Sequence, residues 1–388
     1  MINKILFILV LLSININADE FSEWKGKQDQ EFAQSKQEFS DWKAKEDAEF
    51  KAYLKAQKEA FDEYNKDIKK FWPVSETSTN KKWVEYNKNY TTKKSVDFEK
   101  QSINLEVIAK NEKEAKKKIE ELYMHLLNDS IKSAYEKDKL EEKILQKLKK
   151  PKQILASDEK IISDILTTED MKKMYLDMKK QKLKVVKYKG KFIYKANIKM
   201  PAQSMIRKAK IYTKDVNKSS NKEKIPAELI YAIMHSESSF NPMARSHIPA
   251  FGLMQIVPRS AGVDSYKYLY GKRKILSSSY LYNSAKNIKI GSAYLHILYY
   301  KYLRGIKDPM SKLFCTIAAY NTGAGNVAKA FIGNTNIYKA SDKINSMKSD
   351  NVYKHLMRHL PYNETKGYLK KVTDRTSSYF NLIEDNKL

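Results

Sequence analysis

The sequence predicts an α+β protein, mainly helical, in which a long N-terminal helix precedes a small α+β module and a larger helical domain. Three observations carry that prediction. Gly and Pro together number 20 of 388 residues, about 5% where ~12% is usual, so turns are scarce and helix dominates. Near the N-terminus an aromatic pattern recurs after 18 and then 11 residues, close to five and three helical turns. Farther along, two stretches alternate apolar and polar residues with the period of a strand.

The first 18 residues read as a signal peptide. Lys4 gives a short basic start, Ile5 to Leu12 is an unbroken apolar run, and Ala18 supplies a small residue at the cleavage point. The run is too short to span a bilayer comfortably, and no later stretch approaches ~18 apolar residues. No Cys follows the run, so a covalent lipid anchor has no acceptor. The expectation is an exported, periplasmic protein, with association to membrane or wall left open.

Residues 19–72 form the aromatic-repeat helix. Phe21, Phe39, Phe50 and Phe61 each stand three residues before a Trp or Tyr: Trp24, Trp42, Tyr53 and Tyr64. Phe32 is interposed 11 residues after Phe21. At 3.6 residues per turn these rings share one face, which suits a stalk, a protein partner or self-association. Pro73 breaks the helix, and Ser75 to Asn80 reads as a loop.

Residues 73–221 form the α+β module with a linker. Ser95 to Ala109 alternates as a hairpin about Lys100-Gln101-Ser102, with Val96, Phe98, Ile103, Leu105 and Val107 apolar. Asn111 to Leu148 looks helical. Leu183 to Met200 supplies two more strands around Lys189-Gly190, so one helix-covered sheet is expected. Pro201 to Ser220 reads as a helix running into a polar linker that ends at Lys222. Residues 222–388 are helical with punctuating loops.

Charge and composition exclude several functions. The single Cys315 permits no intramolecular disulfide and no Cys-based zinc site, and six His without an HExxH make a zincin untenable. His355 and His359 are spaced i,i+4 but lack an evident third ligand, so they read as a structural or glycan-facing pair, and Cys315 reads as a buried, inert thiol. Net charge is +27, divided as −3 over 19–72, +15 over 73–221 and +14 over 222–388, with Lys4 completing the sum. An exported basic protein points to a polyanion such as an anionic wall polymer. Its basic residues are mostly Lys, which suits diffuse attraction better than base readout, so nucleic acid is not the expected partner.

The chemistry concentrates after Ile225. Pro226 opens a helix, Glu228 falls in its first turn, and Leu229, Ile230 and Ile233 make its apolar stripe. Glu237 lies four residues past Ile233 on the same stripe. A carboxyl at a core edge, beside the negative end of a helix, should have a raised pKa, as a general acid working near neutrality requires. On position alone, that role and a Glu turned to solvent stand level.

Four motifs follow in order: Glu237-Ser238-Ser239-Phe240-Asn241-Pro242 with Ser246; Gly252-Leu253-Met254-Gln255-Ile256; Ala318-Ala319-Tyr320-Asn321-Thr322-Gly323 continuing to Gly325; and Leu360-Pro361-Tyr362-Asn363-Glu364-Thr365 with Tyr368. Asn287-Ile288, Gly291 and Tyr294-Leu295 lie between the second and third. In these residues the sequence resembles the soluble-lytic-transglycosylase (SLT) family, which cleaves peptidoglycan on a lysozyme-like helical fold. Upstream, Trp83-Val84-Glu85-Tyr86 and Val96-Asp97-Phe98-Glu99 resemble the N-terminal module of the membrane-bound transglycosylase C group. Together the matches span roughly residues 70–385.

The resemblance implies a non-hydrolytic lyase needing neither metal nor cofactor, with peptidoglycan glycan strands as its partner. Glu237 would protonate the glycosidic oxygen between N-acetylmuramic acid and N-acetylglucosamine. It would then take the 6-hydroxyl proton as a 1,6-anhydro ring closes, with the muramoyl N-acetyl group steadying the cationic centre. Ser246, Gln255, Tyr320 and Asn321 would line the cleft, Tyr294 would form an aromatic wall, and Glu364 would orient rather than donate. Val257 stands where relatives often carry Met. Gly252, Gly323 and Gly325 serve close approach or positive φ. The alternatives are a goose-type lysozyme-like hydrolase, for which no second acid is obvious, and a non-enzymatic wall-binding scaffold.

Overall fold

A computed structural model describes residues 18–388, and the chain is α+β as expected. The expected signal peptide falls, save for Ala18, outside the described residues. Two compact units are present, one ending at Tyr64 and including Leu140–Pro151, the other made of Asn65–Lys139 and Lys152–Leu388.

In the first unit, helix α1 (Ala18–Ile68) is 51 residues long, and its sequence holds one Gly and no Pro. The aromatic face is not uniformly covered: Phe32 and Phe39 are exposed, whereas Ala56, Ala60 and Tyr64 are buried. Phe39 stacks on Trp42 with centroids 6.2 Å apart. Acidic residues on α1 meet the Lys-rich return segment, Lys147 binding Glu63 at 2.6 Å and Lys150 approaching Glu49 at 3.7 Å.

The second unit contains one antiparallel sheet of β1 (Lys82–Tyr86), β2 (Thr92–Asp97), β3 (Ser102–Ala109), β4 (Lys184–Tyr188) and β5 (Lys191–Lys199), in spatial order β1-β2-β3-β5-β4. The two expected hairpins are present, with Asp97 opposite Ser102 and Tyr188 opposite Lys191. Central pairing runs from Ser102↔Lys199 to Ala109↔Phe192. The first strand, β1, was not legible because its five residues alternate only briefly.

The helical stretch after Asn111 divides into α2 (Glu112–Asn128), α3 (Ile131–Glu136) and α4 (Lys139–Lys147). Asn111 caps α2 by accepting from the Glu114 amide. Ala115, Ile119, Tyr123 and Leu126 of α2 are buried with Val96, Ile103, Leu105 and Val107 of the sheet. Helix α5 (Thr168–Lys180) starts with a capping box between Thr167 and Asp170.

Next come α6 (Ser204–Ile211), α7 (Thr213–Glu223), α8 (Ala227–Ser238), α9 (Val263–Tyr270), α10 (Ser278–Leu281) and α11 (Ser284–His296). The chain ends with α12 (Pro309–Thr322), α13 (Ala324–Ile332), α14 (Ile337–Asn345), α15 (Ser349–His359) and α16 (Asn363–Glu384). The expected polar linker is instead α7. Its Lys, Ser and Asn content masks one buried edge, Val216, Ser219 and Glu223, and the helix packs against α11. It stops only at Lys224, which takes left-handed backbone at φ 54°. Helix α8 packs against α16, with Leu229, Ile230, Ile233 and Met234 inaccessible to solvent.

Candidate active site

Pro226 stands one residue earlier than expected, at the cap of α8, with φ −54° already suited to helix entry. One turn past the buried Ile233, Glu237 is partly buried near the helix end. Directly beyond it, Ser239 and Phe240 both adopt left-handed backbone, at φ 51° and 59°, and the chain reverses. Burial pushes the Glu237 carboxyl up to about 7. Tyr368, Lys81 and Lys371 oppose that rise, and the charge of Glu364 adds to it. A carboxyl raised that far toward neutrality can give a proton and then accept one.

The phenol of Tyr368, on α16, is the side-chain group that most opposes this rise. It favours the Glu237 carboxylate, and burial, with that carboxylate adding to it, holds the phenol well above its ordinary range. The hydroxyl itself is buried. Sequence reading placed Tyr368 in a motif but gave it no role. The signal was available, since Tyr368 stands one helical turn after Glu364.

The Gly252 loop is fastened from three sides. Ser238 Oγ donates to the Leu253 carbonyl at 2.8 Å, tying the loop to the end of α8. Asn287, fully buried on α11, accepts from the Met254 amide at 2.8 Å and donates to the carbonyls of Phe251 and Leu281 at 2.9 Å. From α12, the Tyr320 hydroxyl donates to the Met254 carbonyl at 2.8 Å. Gly252 is required here: φ is +75°, and an added Cβ would stand 2.3 Å from Asn287 Nδ2 and 2.4 Å from the Leu281 oxygen.

These ties bring several expected residues together. Tyr320 feels the Glu237 charge, and its ring meets Tyr294 edge-on with centroids 5.6 Å apart. Asn321 accepts from the Thr365 hydroxyl at 2.7 Å, joining α12 to the first turn of α16, where Glu364 is exposed. Gln255 takes φ 47° and turns its amide back on the Gly252 carbonyl at 3.1 Å. Ser246 spends its hydroxyl on the Ile248 carbonyl within its own loop. Val257 is partly buried and ends the loop where a π-helical turn, Pro258–Gly262, begins. Gly323 has positive φ, whereas Gly325 has ordinary backbone, and a Cβ added there would lie 3.4 Å from the Thr335 side chain.

The His pair lies elsewhere. His355 stacks on Phe331, bonds the Ala330 carbonyl at 2.8 Å through Nε2, and sits 4.3 Å from the His359 ring. Cys315 is fully buried.

A helical domain carrying a desolvated Glu at the end of one buried helix, faced by Tyr and Lys, has the makings of an acid–base site. The Transglycosylase SLT domain family matches residues 215–343. Membrane-bound lytic murein transglycosylase C of Histophilus somni (strain 2336) is 32% identical over 324 residues, covering 82% of this chain and 86% of that protein. The enzyme of the same name from Klebsiella pneumoniae (strain 342) is 41% identical over 187 residues, or 48% of this chain and 51% of its own. The 70 kDa soluble lytic transglycosylase of Escherichia coli overlaps at 17% identity over 70% of this chain and 44% of its own, with a TM-score of 0.35, too low to argue shared detail. On the extent of the first match, this chain belongs to the membrane-bound lytic murein transglycosylase C family.

Proposed function

We propose that this chain cleaves the β-1,4 bond between N-acetylmuramic acid and N-acetylglucosamine, leaving 1,6-anhydromuramoyl ends, with Glu237 as acid and then base. The observation that carries the reading is the Glu237 carboxyl, lifted to about 7 by burial and faced by the Tyr368 phenol. Protonated Glu237 gives its proton to the glycosidic oxygen as that bond breaks, and the aglycone leaves as an alcohol. The carboxylate then removes the proton of the same muramoyl residue's 6-hydroxyl, whose oxygen closes on the anomeric carbon. The proton count balances, and no water enters the product. The acid that faces Glu237, Glu364, is exposed and raises the pKa of Glu237 by its charge, which suits an orienting role better than a second proton donor.

In this reading Tyr294, Tyr320 and Asn321 shape the glycan cleft, Gln255 and Val257 line it from the Gly252 loop, and Ser246 contributes through its loop. Residues 73–221 and 222–388 act as module and catalytic domain. The protein works in the periplasm on the glycan, and the exposed rings of Phe32 and Phe39 support a protein partner or self-association through residues 19–72. No helix among the described residues is long and apolar enough to cross a membrane.

The test is product analysis on purified sacculi in oxygen-18 water. Anhydromuropeptides without label are expected from the wild type, and activity should fall by ~10²–10⁴ or more in Glu237→Gln. Labelled reducing ends would instead identify a hydrolase.

A further inference from the structure

The last carbonyls of a helix have no partner within it and need donors from outside. In α8 those carbonyls flank Glu237, and most of the donors come from the module more than 150 residues earlier in the chain. Lys81 Nζ reaches the His235 carbonyl at 3.1 Å and the Ser236 carbonyl at 2.6 Å. Asn80 Nδ2 donates to the carbonyl of Glu237 itself at 2.9 Å. Lys208, buried on α6 with its ammonium 3.2 Å from the centre of the Phe98 ring, donates to the Phe240 carbonyl at 3.2 Å. The grip is reciprocal. Asn241 Nδ2 donates to the carbonyls of Thr79 and Asn80 at 3.4 and 3.3 Å, and the Arg245 amide donates to Thr79 at 3.4 Å.

The gripping loop is itself held on the sheet. The Thr79 amide donates to Lys82 at 2.8 Å, and the Phe98 amide donates to the Lys81 carbonyl at 2.9 Å. What it holds is strained: consecutive left-handed residues other than Gly, Ser239 and Phe240, persist only where surroundings impose them. A cation at a helix C-terminus also complements the macrodipole. The carbonyls on both sides of this reversal are the ones that the module engages.

We propose that Lys81 and Asn80 of the N-terminal module are positioning residues for Glu237, fixing the end of α8 so that its carboxyl stands where the reaction needs it. The proposal rests on the reading of Glu237 as the acid–base. Lys81 also acts by charge. Glu237 is faced by Lys81 from this loop, by Glu364, Tyr368 and Lys371 from α16, and by Tyr320 from α12. Lys81 is faced in turn by Glu99, Arg375 and Lys371, and burial brings it down to about 8. His235, on α8, is held neutral down to about 3 by burial and these cations. Removing the Lys81 charge destabilises the Glu237 carboxylate, so the acid stays protonated to higher pH.

The experiment compares full-length Lys81→Met, Lys81→Arg and Asn80→Ala with wild type, reading kcat, KM, the pH–rate profile and thermal melting. Lys81→Met is expected to lower kcat by about 10- to 100-fold, as sub-ångström misplacement of a reacting group does, with KM changed little. Its alkaline limb should move to higher pH, and Lys81→Arg should restore both kcat and limb. Asn80→Ala, neutral for neutral, should lower kcat at least about 5-fold without moving the limb. Wild-type kcat and limb in Lys81→Met, or a kcat loss that neither moves the limb nor recovers in Lys81→Arg, would overturn the proposal. If Lys81→Met loses its cooperative melting, Asn80→Ala decides, and unchanged kcat there sinks the idea. Glu237→Gln measured alongside separates the two levels, because full activity in that variant would overturn the reading of Glu237 instead.

Discussion

The Tyr320 hydroxyl donates to the Met254 carbonyl at 2.8 Å, so the helix bearing Tyr320 and Asn321 is bonded directly to the loop bearing Gln255. Two motifs separated by 66 residues are thereby joined. In Tyr320→Phe the ring still packs on Tyr294, but the Met254 carbonyl, on a residue inaccessible to solvent, loses that donor. The expected cost is about 1–3 kcal/mol. A melting temperature equal to wild type would show that the bond contributes nothing.

Glu237 should make stability depend on pH. Its folded pKa, about 7, lies above the usual 4.5, so its favourable contribution is complete below about 4.5 and is lost as pH rises through 7. Glu237→Gln removes that loss. The variant should melt above wild type at pH 8, by on the order of 2–3 kcal/mol, with the gap closing near pH 5. A gap that does not vary with pH would refute the raised pKa.

Gly252→Ala tests the loop. The added carbon meets Asn287 and Leu281 at 2.3–2.4 Å on a backbone that L-residues resist. A loss of about 3 kcal/mol is expected, with activity falling as the latch to α11 opens. Wild-type melting would mean that the loop has an unstrained alternative.

Charge predicts a fourth outcome. Residues beyond Trp72 carry a net +29, mostly as Lys, so binding to sacculi should weaken steeply as salt screens the attraction. Cosedimentation at low and high ionic strength measures it, and salt-independent retention would make the charge incidental to binding.

Local patterns were readable because their physics is local. The hairpins about Lys100-Gln101-Ser102 and Lys189-Gly190 stand where alternation put them, and α1 follows from 51 residues almost free of Gly and Pro. The segment ending at Lys222 was misread as a linker because the apolar edge of α7 is a single Val216 amid Lys, Ser and Asn. Only packing on α11 makes it a helix with a buried side. Strand β1 was missed for a similar reason, since pairing with its one neighbour, β2, rather than five residues of pattern defines it.

By itself the sequence determined the family, the position of Glu237 on a buried stripe, and the order of the four motifs, because residue identity and helical period suffice for these. The tertiary structure alone decided what surrounds the carboxyl. Tyr368 arrives from α16, Tyr320 from α12, and Lys81 with Asn80 from a loop 156 and 157 residues before Glu237. Contacts over such separations leave no periodic trace in a single chain. They also set the pKa, because desolvation and facing charges act through space rather than along the sequence.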